Sequence, residues 1–386
     1  MKILHTADLH IGKKMFDISL VDDQKNMLTQ VLEIAEKHSV DAVILAGDIY
    51  DRSVPATEAV TMLDEFLTEL VNKKTPVIMI SGNHDSPERV GFGSRIMEAA
   101  GLYIGGAYDG ELKKVTLCAK GENEPEVCFV CLPFVKPATV GVTNTAEVVR
   151  NLLTKEEIDF TDKKRYVLLS HYFVTGEDGR GPELSDSEDS VYVGGIDNVP
   201  ASLFAGFDYV ALGHIHKPQQ VGGGAIYYSG SAMKYSFSEA NQTKSVNIVT
   251  IEKDGPVQVE RVPLKPYREM RCIKGRLEEL IAPEVVNAPG VDPTDYLQVT
   301  LTNREELIDP MGTLRTVYPN VLQILIEKNY ITDEAAYESK VSVRGKSLQG
   351  LFGEFYEMLT GSELSDRQQK LVEELALESM QRESRR

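Results

Sequence analysis

The sequence predicts an α/β protein in which apolar strands alternate with amphipathic helices, followed by a smaller α+β unit and a helical C-terminal segment. Three observations predict it. Short apolar runs rich in β-branched residues, such as Ala42-Val43-Ile44-Leu45-Ala46, read as strands buried on both faces. Between them lie stretches with helical periodicity. Five of the runs also end in Asp, Asn or His: they lead to Asp8 and His10, Asp48, Asn83 and His84, His171, and His214 and His216. Carboxylates and imidazoles gathered where strands give out describe a site, because a charge buried there needs a cation, donors or a metal.

Taken in order, helices are expected over 21–37, 57–73 and 88–100. In the second, Val60, Leu63, Phe66, Leu67 and Leu70 recur on one apolar face. Gly121, Asn123 and Pro125 mark a loop between two strands, and 176–195, rich in Gly, Ser, Asp and Glu, is a long exposed loop following His171. Strands resume at 225–228, 246–251 and 257–262. Pro263 and Pro266 frame a break, after which strands at 267–274, 297–302 and 321–327 form the α+β unit. From Ser347, Leu348, Leu351, Phe352, Phe355, Tyr356 and Leu359 share a helical face, and a second helix restarts after Gly361 with the capping signature Ser365-Asp366-Arg367-Gln368. The expected domains are 1–265, 266–345 and 346–386.

At 386 residues, 42% hydrophobic and 26% charged, the chain is a globular protein of more than one domain. No apolar run approaches the ~18 residues of a membrane span, and Met1-Lys2-Ile3-Leu4 enters the first strand without an apolar leader, so a cytoplasmic location is expected. Cys128 and Cys131 form a C-x-x-C pair. Residues three apart on a strand point to opposite faces, so the pair is read as buried thiols rather than a zinc grip. The net charge of -18 opposes binding to polyphosphate by bulk electrostatics, which makes any DNA contact local, metal-mediated or shared with a partner.

Of the 7 histidines, His5 and His38 read as structural, and the other five follow apolar runs. Imidazole with carboxylate and amide oxygen suits divalent manganese, iron or zinc; manganese is favoured, with magnesium weaker because it takes imidazole poorly. Asp48 has two oxygens and can serve two cations. Asp8, His10 and His216 then complete one metal site, and Asn83, His171 and His214 the other. Two ions so held suit phosphoester hydrolysis. His84 is free for acid or electrostatic work, with the Asp51 carboxylate as its hydrogen-bond partner or else a turn carboxylate. Arg52 is a candidate phosphate ligand or else a solvated side chain.

These segments, D-x-H at 8–10, G-D-x-x-D at 47–51, G-N-H-D at 82–85, the lone His171 and G-H-x-H at 213–216, resemble the calcineurin-like metallophosphoesterases. Within that superfamily, Thr6-Ala7-Asp8-Leu9-His10, Gly194-Gly195 and the stretches 208–216 and 228–237 are similar to the SbcD family of nuclease subunits. The resemblance implies a four-layer αββα sandwich, a DNA-capping domain and C-terminal helices that bind an SbcC-type ATPase. Helical spacing alone lets the face of Leu351, Phe352, Phe355, Tyr356 and Leu359 either pack back on the body or grip a partner, and with the resemblance it is the expected partner-binding face. It also implies a manganese-dependent nuclease acting on DNA as a homodimer within a heterotetramer: an ATP-dependent double-strand exonuclease with single-strand endonuclease activity. At Asp51 some members carry histidine. Two rival readings remain. Another phosphoesterase of the superfamily would need neither the unit after Pro266 nor the terminal helices, and a nonenzymatic ATPase scaffold would need no intact ligand set.

Overall fold

Two six-stranded sheets, whose central strands are the buried apolar runs of the sequence, form the body of the computed structural model. The structure describes residues 1–119, 125–176, 181–186, 198–303, 305–327 and, beyond these, residues 350, 352–353, 355–357, 362–365, 367–372 and 375. The first sheet has the order Gln258–Pro263, Ser245–Thr250, Lys2–Thr6, Ala42–Ala46, Val77–Ile80, Leu102–Gly105. The second runs Gln219–Gln220, Ile226–Tyr228, Tyr209–Leu212, Arg165–Ser170, Glu126–Leu132, Lys113–Cys118. In each, the central strands are parallel, so their C-terminal ends lie at one edge.

Side-chain alternation then sorts the core into three layers. Ile3, Ile44, Ile78, Phe129, Val167 and Ala211 meet between the sheets. Leu4, Val43, Leu45 and Met79 point the other way, onto the helices Val21–Lys37 and Thr57–Asn72. The second sheet turns Val130, Leu168, Val210 and Leu212 toward Val148, Val149 and Leu152 of a helix at Thr145–Lys155. The result is the expected αββα sandwich. Cys128 lies in the outer layer and Cys131 in the inner one, on opposite faces of their strand.

Some local expectations are corrected. The stretch 88–100 is not one helix: Pro87–Val90 and Ser94–Met97 are short turns followed by a 3₁₀ turn. Gly93 between them sits at φ 72°, a left-handed conformation that ends a helix. On the Thr57–Asn72 helix, Leu63, Phe66 and Leu70 are buried with Ala59 and Met62, whereas Val60 is 45% exposed. The helix Thr145–Lys155 was not anticipated, although Asn144 caps it by accepting from the Glu147 amide at 2.9 Å. Within the loop 176–195, residues 177–180 and 187–195 lie outside the described residues.

By contacts, the chain divides into two compact units, Met1–Cys272 with Thr294–Leu297, and Ile273–Pro293 with residues 298–386. The second carries most of a three-stranded sheet in the order Met270–Gly275, Tyr296–Leu301, Val321–Ile326, with short helices at Leu277–Leu280, Pro283–Val286 and Pro310–Arg315. Its core centres on Leu301, Leu314 and Tyr318, whose hydroxyl donates to the Leu280 carbonyl at 3.1 Å. Phe352 and Phe355 are helical and 44% and 47% exposed, and Tyr356 is half-buried; Leu351 and Leu359 lie outside the described residues. Among the described residues no helix is long and apolar enough to cross a membrane.

Candidate metal centre

Five parallel strands deliver the site, each ending in a tight turn that aims a polar side chain across the sheet edge. The turns are stitched together by backbone: Asp8 N donates to Gly47 O at 3.1 Å, His10 N to Asp48 O at 3.0 Å and Gly213 N to Ser170 O at 3.1 Å. The cost is backbone strain. Asp8, His10, Asp48 and His214 all have positive φ, at 52°, 42°, 47° and 98°. Such conformations cost of order 1–3 kcal/mol each and persist where surrounding structure enforces them, most often at functional sites.

The side chains converge. His10 Nε2 lies 3.2 Å from His216 Nε2 and 3.7 Å from Asp48 Oδ2. His171 Nε2 lies 3.3 Å from the same Asp48 oxygen and 3.1 Å from Asn83 Oδ1, which is also 3.0 Å from His214 Nδ1. Among the described residues, three groups offer ligand atoms mutually within 4.8 Å: Asp8, His10 and His216; His10, Asp48 and His84; Asp8, Asp48 and His171. Asp8, His10 and Asp48 each belong to two. All but Asn83 and His84 are buried.

The donor set fits divalent cations on several counts. Asp8 Oδ2 is buried and has no hydrogen-bond partner, while its Oδ1 accepts from the His214 amide at 2.9 Å. An orphaned carboxylate oxygen is costly without a cation. His171 Nδ1 donates to the Ala46 carbonyl at 2.8 Å, which leaves Nε2 as the free ligand atom. Electrostatics agree. Burial pushes Asp8 up to about 6 and His214 down to about 3. Burial opposes charge at His171 as well, yet the Asp48 and Asp8 carboxylates carry it up to about 9. Burial would likewise raise Asp48, but His171, His10 and His84 hold it well below the usual carboxylate range. A field that draws a proton onto a buried imidazole draws a metal cation in the same way.

Close packing leaves no room for side chains at three glycines. A Cβ on Gly47 would stand 2.3 Å from His171 Nδ1, on Gly213 2.1 Å from Ala46 O, and on Gly82 2.2 Å from Asp48 Oδ1. A Cβ on Gly82 also meets the Asp48 main-chain nitrogen at 2.3 Å, so Gly82→Ala is expected to displace the Asp48 turn with its carboxylate and strip bound metal while the fold survives. Metal content by atomic emission, beside an unchanged circular dichroism spectrum, checks this; wild-type metal content would contradict it.

His84, outside the sandwich at the mouth, is 40% exposed, with Nε2 4.0 Å from Asp48 Oδ2. Its partner differs from expectation. Nδ1 donates to the main-chain carbonyl of Asp51 at 3.0 Å, not to the carboxylate. The Asp51 carboxylate turns instead to Lys13, whose Nζ donates to Oδ1 at 2.8 Å, because an ammonium satisfies it better than a ring already held by the backbone. Arg52 is 79% exposed beside Asp51. Sequence reasoning missed Lys13 and also Asp85, which accepts from the Gly82, Ile49 and Tyr50 amides at 2.9–3.0 Å and so ties the Asp48 and Asn83 turns together. Its place beside His84 in G-N-H-D was the available signal. His5, as anticipated, is structural: it is fully buried, with Nδ1 2.8 Å from the Tyr209 hydroxyl.

Comparison with known proteins decides the family. The model of the calcineurin-like phosphoesterases matches residues 1–218, and a second, described as the type 5 capsule protein repressor C-terminal domain (SbcD_C), matches 266–360. The SbcD subunit of the nuclease SbcCD from Staphylococcus epidermidis is 33% identical over 97% of this chain and 98% of that protein. The chain belongs to the SbcD family of calcineurin-like phosphoesterases. SbcD-family membership makes it a metal-dependent phosphoester hydrolase. Solved structures matched include a dimetal phosphatase of Danio rerio at 12% identity and TM-score 0.38, covering 67% of this chain and 98% of that one. A Thermus thermophilus protein matches at 13% identity and TM-score 0.37, with the same coverage.

Proposed function

We propose that this chain is the nuclease subunit of an ATPase-coupled, DNA-end-processing complex, cleaving phosphodiesters at a two-metal centre. The convergence on Asp48 of imidazoles from both sheets carries the reading: its Oδ2 lies 3.7 Å from His10 and 3.3 Å from His171. Asp48 would bridge, Asp8, His10 and His216 would hold one ion, and Asn83, His171 and His214 the other. Two manganese ions suit this mixture of imidazole and oxygen donors. When bound, such ions supply Lewis-acid polarisation of the phosphodiester and activation of a water as nucleophile. His84, with Nδ1–H committed to the Asp51 carbonyl, keeps Nε2 at the mouth to steady or protonate the departing oxygen. Arg52 and Lys13 add positive charge beside it, where a backbone phosphate would enter.

DNA and an SbcC-type ATPase are the partners of this reading, with two such chains in a heterotetramer. Residues 1–265 form the nuclease domain, 266–345 the DNA-capping domain and 346–386 the ATPase-binding helices; the family match over 266–360 supports a boundary at Pro266. Exposed Phe352 and Phe355 support a helix docked in a partner's groove. A net charge of -18 supports weak duplex binding by this chain alone.

The purified protein with manganese is expected to hydrolyse bis-p-nitrophenyl phosphate alone and to degrade linear duplex DNA efficiently only with the ATPase and ATP. In titrations at fixed physiological salt, tight duplex binding should appear only with the partner. No manganese-dependent hydrolysis, or tight binding by the isolated chain, would overturn the reading.

A further inference from the structure

Glu239 is a fully buried carboxylate at the end of a 3₁₀ turn, Phe237–Glu239, in the nuclease unit, and partners from several segments meet its two oxygens. Oε1 stands 3.3 Å from His216 Nδ1 and accepts from the Ser185 hydroxyl at 3.2 Å. Oε2 is 2.7 Å from Lys244 Nζ and accepts from the Tyr235 amide at 3.2 Å. Lys244 is itself only 5% exposed and also donates to the His216 carbonyl and the Ser231 hydroxyl, both at 2.9 Å. Imidazole and main chain of His216 are thus gripped by the two members of one buried ion pair.

Such a pair is poor value as a stabiliser, since desolvating two charges about cancels their attraction. Its geometry has another consequence. A carboxylate on Nδ1 keeps the proton there, leaves Nε2 unprotonated and fixes the ring plane. His216 Nε2 is the atom that faces His10 Nε2 at 3.2 Å, beside Asp8. The rings of His10 and His216 also pack edge-on against Tyr235, at 5.4 and 5.9 Å, and the Tyr235 hydroxyl donates to the Leu9 carbonyl. The loop that carries Glu239 therefore braces one half of the centre. His171 in the other half has a different restraint, the Ala46 carbonyl.

We propose that Glu239, held by Lys244, is the positioning residue that orients His216 toward its metal, and so sets the affinity of the His10–His216 site without touching the Asn83–His171–His214 site. The inference rests on the two-metal reading above. Removing a carboxylate from a metal-bound histidine typically weakens metal binding about 10- to 100-fold.

The test is a manganese titration by calorimetry of the full chain, beside its melting temperature without metal. Wild type is expected to show two sites, and His216→Asn to lose one of them. Glu239→Gln is expected to weaken that same site about 10- to 100-fold and leave the other within error. The Glu239→Gln/Lys244→Met double variant removes both charges together, and carries the same expectation should the single variant fail to fold. Equal weakening of both sites, or a lower melting temperature with both affinities unchanged, would reduce Glu239 to a structural role and overturn the inference. If wild type instead binds one ion, or His216→Asn loses none, the two-metal reading itself fails.

Discussion

Asp48→Asn is expected to abolish retention of both metals and, with it, phosphodiester hydrolysis. Asn keeps the shape and can still accept the His84 amide, which donates to Asp48 Oδ1 at 2.9 Å. It loses the charge and one of the two oxygens. That charge is what the buried imidazoles of His10 and His171 share through one oxygen, Oδ2, at 3.7 and 3.3 Å, nearer to His171 than Asp8 Oδ1 at 3.9 Å. Asp8 remains, but its Oδ1 is committed to the His214 amide. Metal per chain by atomic emission after dialysis should therefore fall from two to near none, not to one. One ion retained with measurable hydrolysis would remove Asp48 from the bridging role.

His84→Gln is expected to leave metal content unchanged and lower turnover by about 10²- to 10⁴-fold, the usual worth of an acid or base positioned at the reacting bond. Its side chain is 40% exposed, with Nε2 4.0 Å from Asp48 Oδ2, and its closer contact with Asp48 is through the amide, at 2.9 Å. Glutamine can still contact the Asp51 carbonyl but cannot supply a protonated ring. Because that carbonyl does the holding, Asp51→Asn should cost far less than His84→Gln; its main effect is to release Lys13. Single-turnover rates on a small phosphodiester compare the two. Equal losses would restore the Asp51 carboxylate as the partner of His84.

Much of the sandwich was legible because a strand covered on both faces must be apolar at every position, so Ala42–Ala46 and Val77–Ile80 announce themselves and their ends. The polar residues at those ends were conspicuous for the same reason. What failed was local geometry with weak composition. Helical spacing carried the reading through Gly91 to Gly93, where a left-handed turn breaks it, and the Asn144-Thr145-Ala146-Glu147 capping signal went unused. Two contacts could not be read at all. Whether the Asp51 carboxylate meets His84 or Lys13 depends on a residue 38 positions away. Glu239 meets His216 across 23 residues from a loop with no periodicity.

The most direct test of the account is a crystal of the protein grown with manganese and measured at the manganese absorption edge. Two anomalous peaks about 3.5 to 4 Å apart, with Asp48 between them, Asp8, His10 and His216 around one and Asn83, His171 and His214 around the other, are the predicted result. A single peak, or two peaks that do not share Asp48, would contradict it.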